Sequence, residues 1–239
     1  MSADGTRLFA WLFHHEGFAK QRAKAAILFY HGNGENLSSH YLSMIWSLRK
    51  GYDFLIFDYR GYGRSEGSPS PQGTVEDGEA ALRWMKVHYP DIPIVIYAQS
   101  LGGAIALRNA IDLRAEVPVR AVVIDSSFAS YQVVGRRILS KNFLTWPLQW
   151  LPWILLSDRF APDGQIQKIS PIPLLVMHAE NDQTVPFRCG EELFEQAGNP
   201  KDFWRISGEG HVDAFLRFGD FYQNKLDLWF SQALARSPQ

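Results

Sequence analysis

Apolar runs of strand length recur along the chain: "AAILFY" (25–30), "YDFLIFD" (52–58), "PIVIYA" (93–98), "VRAVVID" (119–125), "IPLLVMH" (172–178) and "DFWRIS" (202–207). Most are continuous rather than alternating, which predicts strands buried on both faces of a parallel sheet. Between them lie helix-length segments at 38–50, 74–88, 102–113, 187–197 and 212–234. Strand and helix in alternation predict an α/β fold, a mostly parallel sheet flanked by helices on both faces. Ahead of the first long run, "SADGTRLFAWLF" reads as a turn followed by one more strand.

One interval breaks the rhythm. From Ser126 to Ser170 no strand pattern occurs, a distance too great for an ordinary connection. The rhythm resumes at Ile172, so the expectation is a small helical cap inserted at about 127–170 into a single domain spanning 1–239. The cap carries Trp146, Trp150 and Trp153, whose spacing predicts one helical face, within limits set by Pro147 and Pro152. Three uses stay open for these rings: packing the cap onto the body, lining a substrate pocket for acyl groups, or touching a membrane or lipidated protein.

Composition narrows the function classes. The 239 residues are 46% hydrophobic and 21% charged, values of a globular domain. The net charge of -1, with Lys and Arg scattered, leaves no stripe for nucleic acid and no polybasic lipid anchor. Cys189 is the only cysteine, which rules out an internal disulfide and a thiolate metal site. The histidines and carboxylates lack paired helical spacing, so no metal and no cofactor is expected. No run approaches a membrane span, and no signal-peptide layout opens the chain. The expectation is a cytoplasmic protein, with a leader or anchor ahead of the first residues left open.

Parallel α/β sheets gather their chemistry at the carboxyl ends of the strands. There the chain places "HGNGEN" (31–36), "YRGYGRSEG" (59–67), "QSLGG" (99–103), "AENDQTVP" (179–186) and "GEGH" (208–211). A serine, an acid and a histidine thus follow three different strands in the order Ser100, Asp182, His211. A serine hydroxyl is inert until a base accepts its proton and a third group holds that base in the right tautomer. Small residues around Ser100, namely Ala98, Gly102 and Gly103, suit a tight strand-to-helix elbow. Singly, each residue has a plainer role: Ser100 or Asp182 as a helix N-cap, His211 as a loop residue. Asp125, closing "VVID", is the rival acid. His31 and His178 close strands beside small residues and read as braces for loops. Asp58, Arg60 and Ser65 read as bracing the glycine-rich loop after the second long run. That loop matches neither a phosphate loop nor a dinucleotide fingerprint. A carbonyl attacked by Ser100 would become an oxyanion needing fixed donors, and the backbone N–H groups of Leu101 and Asn33 are the candidates.

Together "HGNGEN", "DYRGYGRSEGSPS", "AQSLGG", "SSFAS", "HAENDQTVP" and "GEGH" resemble the α/β-hydrolases of the serine-hydrolase type. Within them they are similar to the branch of acyl-protein depalmitoylase-like ABHD proteins and their bacterial relatives. The resemblance covers nearly the whole chain. It implies the α/β-hydrolase fold, with Ser100 as nucleophile, His211 as general base then acid, Asp182 as its orienting partner, and Asn33 and Leu101 as oxyanion donors. Two departures stand out: Ala98 replaces the usual first glycine of the elbow, and Ala179 the glycine common after the strand-closing histidine. The expected activity is hydrolysis of carboxylic esters or thioesters of small to medium apolar acyl groups, with a small-molecule partner. A serine aminopeptidase or oligopeptidase-like enzyme is the alternative, and a non-catalytic binding protein on the same scaffold is a third.

Overall fold

The computed structural model describes residues 1–18, 21–208 and 210–236. Among these residues seven strands form one sheet: β1 (Ala10–Phe13), β2 (Ala25–Tyr30), β3 (Tyr52–Phe57), β4 (Ile94–Gln99), β5 (Val119–Asp125), β6 (Leu174–Ala179) and β7 (Lys201–Ile206), in the order β1-β3-β2-β4-β5-β6-β7. β1 pairs antiparallel with β3, and every other pairing is parallel. The described helices are α1 (Leu37–His40), α2 (Pro71–His88), α3 (Leu101–Asp112), α4 (Tyr131–Ser140), α5 (Leu151–Leu155), α6 (Phe187–Gln196), α7 (Ala214–Arg217) and α8 (Asp220–Ala235).

The continuous apolar runs are explained by what covers them. β2 is buried throughout, and its side chains part by alternation. Ala26, Leu28 and Tyr30 join Leu82 and Met85 of α2 and Ile105 of α3, whereas Ala25, Ile27 and Phe29 share the other face with Leu226 and Phe230 of α8. A strand sandwiched between two helical layers has no solvent face on which to place polar residues. β6 starts at Leu174, two residues later than the run suggests, because Pro171 and Pro173 carry no N–H for a ladder. Its first donor is Leu174, bonded to Pro200 O at 3.1 Å.

Two expected helices are broken. The 38–50 segment is the four-residue α1 followed by 3₁₀ turns at Tyr41–Ser43 and Ile45–Lys50. Met44 leaves helical geometry at φ -120, ψ -3, and that break puts Leu37, Met44 and Trp46 into one cluster. The 212–234 segment divides at Gly219, φ 46, into α7 and α8.

Between β5 and β6 no strand intervenes. That stretch holds α4, a 3₁₀ turn at Trp146–Leu148, α5 and a 3₁₀ turn at Ile166–Ile169. No single helix carries the three tryptophans. Trp146 opens the 3₁₀ turn, Trp150 precedes α5 and Trp153 lies within it. The two prolines start new turns instead of extending one, so the expected common helical face does not form. All three rings are more than half exposed.

Candidate active site

β4 passes into α3 through Ser100, which sits at φ 51, ψ -120. A non-glycine residue there stores strain of roughly 1–3 kcal/mol and persists only where its surroundings overdetermine it. Here Ser100 N donates to Asp125 O at 2.9 Å, and Ser100 O accepts from Gly103 N at 2.9 Å and from Ser127 Oγ at 2.6 Å. Ser100 occupies the N-cap position of α3, yet its hydroxyl makes no capping bond, so the plain N-cap role does not apply. A Cβ at Gly102 would lie 2.4 Å from Tyr30 O and 2.5 Å from His31 O. Only glycine lets the first turn of α3 rest on the end of β2.

The loop after β2 lies against the serine. A Cβ on Gly32 would stand 3.3 Å from Ser100 Cβ. The next residue, Asn33, accepts a hydrogen bond from Tyr62 OH at 2.6 Å through Oδ1. Leu101 is the first residue of α3, where an N–H has no acceptor within the helix. His31 is fully buried, its Nδ1 donates to Gly32 O at 2.8 Å, and burial pushes its pKa down to about 3. It is a neutral brace for this loop.

The acid and the histidine meet. Past the end of β6, Asp182 is 4% exposed, and its Oδ1 accepts from Thr184 N at 2.7 Å and Val185 N at 2.9 Å. Its Oδ2 lies 2.7 Å from His211 Nδ1. A carboxylate oxygen accepts, so Nδ1 is the donor, and in the neutral imidazole Nε2 then keeps its lone pair. His178 supports the acid loop. Its Nε2 donates to Val185 O at 2.9 Å, and burial lowers its pKa. A Cβ at Gly190 would lie 2.4 Å from His178 Nδ1, so α6 closes on this imidazole by virtue of a glycine.

Asp125, the rival acid, is engaged elsewhere. Tyr97 OH donates to its Oδ2 at 2.9 Å and Ser126 Oγ to its Oδ1 at 3.0 Å. Burial pushes its carboxyl up to about 6. Gln99, fully buried beside Ser100, is absent from the sequence-based candidates. Gln99 Nε2 donates to Tyr97 OH at 3.0 Å and to Val212 O at 3.3 Å. The residue before the serine thus holds the residue after the histidine, itself at φ 56. The available signal was a glutamine ending an otherwise apolar strand.

The loop after β3 is braced as expected. Asp58 Oδ1 accepts from Leu37 N at 2.7 Å, Ser65 Oγ donates to Asp58 O at 2.7 Å, and Arg60 Nη2 donates to buried Asp77 Oδ1 at 2.8 Å. Trp153 lines a cavity of about 550 Å³ with Arg136, Arg137 and Glu192. Trp146 and Trp150 are 61% and 55% exposed. Among the described residues, no three His, Cys, Asp or Glu side chains are grouped to hold a metal ion. Nor is any helix among them long and apolar enough to cross a membrane.

Comparison with known proteins agrees with this architecture. Residues 21–168 match the model of a hydrolase family described as serine aminopeptidase, S33. The chain is 33% identical over 227 residues to the uncharacterized protein YfhR of Escherichia coli (strain K12), covering 93% of this chain and 76% of that one. It is 32% identical over 212 residues to the lysophosphatidylserine lipase ABHD12 of Danio rerio, covering 83% of this chain and 52% of the lipase. Among solved structures, the esterase Pf2001 of Pyrococcus furiosus superposes with a TM-score of 0.75 at 19% identity, over 98% of this chain and 91% of that one. At that identity the match speaks to the fold.

Proposed function

The chain belongs to the α/β-hydrolase superfamily, in the family described as serine aminopeptidase S33, and on that premise we propose that it cleaves carboxylic esters or thioesters through an acyl-enzyme on Ser100. The observation that carries this is the strained, uncapped Ser100 tied through Gln99 to the loop of a histidine that is already paired with Asp182. His211 Nε2 takes the Ser100 proton as Oγ attacks the carbonyl carbon. Asp182 holds the imidazolium that results, and the N–H groups of Leu101 and Asn33 receive the oxyanion. As the tetrahedral adduct collapses, His211 gives its proton to the leaving alcohol or thiol. Water, deprotonated by the same nitrogen, then releases the acid and restores Ser100.

The exposed rings of Trp146, Trp150 and Trp153 favour apolar acyl groups of small to medium length, and residues 127–170 act as the cap of one hydrolase domain. An ester also fits the lysophosphatidylserine lipase relative. The family description favours a second reading, an aminopeptidase. Such an enzyme needs a carboxylate to grip the substrate ammonium, and no Asp or Glu occurs between Asp125 and Asp158. No cofactor takes part in this chemistry, and the lone cysteine suits a cytoplasmic setting.

The test is Ser100→Ala. Hydrolysis of p-nitrophenyl butyrate should fall about 10⁶-fold, and labelling by a fluorophosphonate probe should vanish. Retention of more than a trace of either overturns the proposal. Aminoacyl-naphthylamides, if turned over faster than the ester, would move the assignment to the aminopeptidase.

A further inference from the structure

Beyond the three tryptophan rings assigned to the acyl group, the β5–β6 segment exposes apolar surface that the chemistry above does not use. Phe143, Leu144, Trp146, Trp150, Ile154 and Leu155 are between 55% and 90% exposed, all within thirteen residues. Phe143 and the two tryptophans alone leave on the order of 400 Å² of aromatic surface in water. That already reaches what a monomer ordinarily leaves bare as its largest apolar patch.

Charge identifies what covers it. The whole chain has a net charge of -1, yet between Asp125 and Asp158 it has no acidic residue, while Arg136, Arg137 and Lys141 fall there and Arg159 follows. Asp158 is occupied in capping α4, accepting from Ser130 Oγ at 2.5 Å and Tyr131 N at 2.7 Å. Arg137 is paired with Glu192. Arg136 and Arg159 are exposed, and the salt bridges among the described residues include neither. Arg136 and Trp153 line the same cavity, so cation and aromatic ring share one side of the segment. A second copy of this chain docked there by two-fold symmetry would set like charges against like. Exposed tryptophans beside cations, by contrast, match the boundary of a bilayer with anionic headgroups, where rings sit at headgroup level and each Lys or Arg gains from surface potential. The surface adjoins the site, because Lys141 Nζ donates to Gln183 O, next to Asp182, at 2.7 Å.

We propose that residues 136–159 form a peripheral docking surface for anionic lipid bilayers. The surface would hold the protein on the membrane without crossing it, with the His211 side of the molecule toward the lipid. Docking is independent of the Ser100 chemistry, and Ser100→Ala protein should bind vesicles as the native protein does.

The experiment is co-sedimentation of the full chain with vesicles of phosphatidylcholine alone or with a third phosphatidylglycerol, followed also by tryptophan emission. Expected is binding to the anionic vesicles with a blue shift, reversed by salt. The double variant Phe143→Ser, Leu144→Ser and the variant Arg136→Glu should each weaken binding about tenfold while hydrolysing p-nitrophenyl butyrate as before. Both variants change exposed side chains, and unchanged melting temperatures would verify that the fold is intact. Protein that stays in the supernatant with both vesicles overturns the proposal. Equal binding to neutral vesicles refutes the anionic assignment, and a dimer in size-exclusion chromatography dissolved by Leu144→Ser gives the surface to a second copy instead. Loss of ester hydrolysis in Ser100→Ala with vesicle binding intact separates this outcome from that of the proposed activity.

Discussion

Replacing Gly102 by alanine tests whether α3 and the end of β2 together set the site. The added Cβ would lie 2.4 Å from Tyr30 O, 2.5 Å from His31 O and 2.7 Å from Tyr30 C. Ordinary van der Waals contact begins near 3.4 Å, so about 1 Å must be found. Neither side yields easily, since Tyr30 and His31 are fully buried and their backbone is fixed by parallel pairing of Tyr30 with Ala98. Overpacking of this kind costs about 1–3 kcal/mol, and for a chain of this length lowers the melting temperature by roughly 2–12 °C. The backbone that would shift leads directly into Gly32 and Asn33. On the proposed chemistry, a displacement of about 1 Å between attacking serine and oxyanion donor costs on the order of 100-fold in rate. With p-nitrophenyl butyrate, kcat should therefore fall about 100-fold while KM changes little, alongside the lowered melt. Native kcat together with a native melting temperature would refute the tight packing. A lowered melt with native kcat would leave the packing in place and refute its role in positioning.

The two acids should separate cleanly: Asp182→Asn should lower kcat by about 10⁴-fold by favouring the wrong His211 tautomer, and Asp125→Asn by no more than about tenfold. The reverse ranking in ester hydrolysis would hand the orienting role to Asp125. Asp125 should also shape stability against pH, because its folded pKa, raised by burial to about 6 from 3.8, makes its contribution complete below about pH 4 and lost as pH rises through 6. Its ionisation then costs the native protein about 3 kcal/mol. Urea unfolding of native and Asp125→Asn protein at pH 4 and 7 reads this as a stability gap that shifts by that amount in favour of the variant, and a constant gap would mean the carboxyl is already ionised when folded. Gln99→Leu leaves Val212 O and Tyr97 OH short of a donor at about 1–3 kcal/mol, so the melt should drop, with kcat reduced roughly tenfold and native values restored by no apolar replacement at 99; an unchanged kcat would reduce Gln99 to a packing residue.

Periodicity determined the sheet, because a strand covered by helices on both faces is buried throughout and so mostly apolar, as β2, β3, β4 and β6 are. The meeting of Asp182 and His211 was legible for a related reason. In a parallel sheet every strand delivers its last residue to the same edge, so linear position becomes spatial proximity. Helix continuity was less legible where burial overrode propensity. Met44 breaks the 38–50 segment to reach the core, and Pro147 and Pro152 scatter three tryptophans whose spacing alone implied one face. Strand order in the sequence favoured Asp182 as the acid His211 meets, with Asp125 as its rival, since both end or follow neighbouring strands. The tertiary structure decided it by giving Asp125 to Tyr97 and Ser126 and leaving Asp182 Oδ2 to His211. The bond from Gln99 to Val212 was beyond reach of any local pattern. It joins residues 113 apart, and only the closing of the sheet brings a strand-end amide to the backbone of the histidine loop.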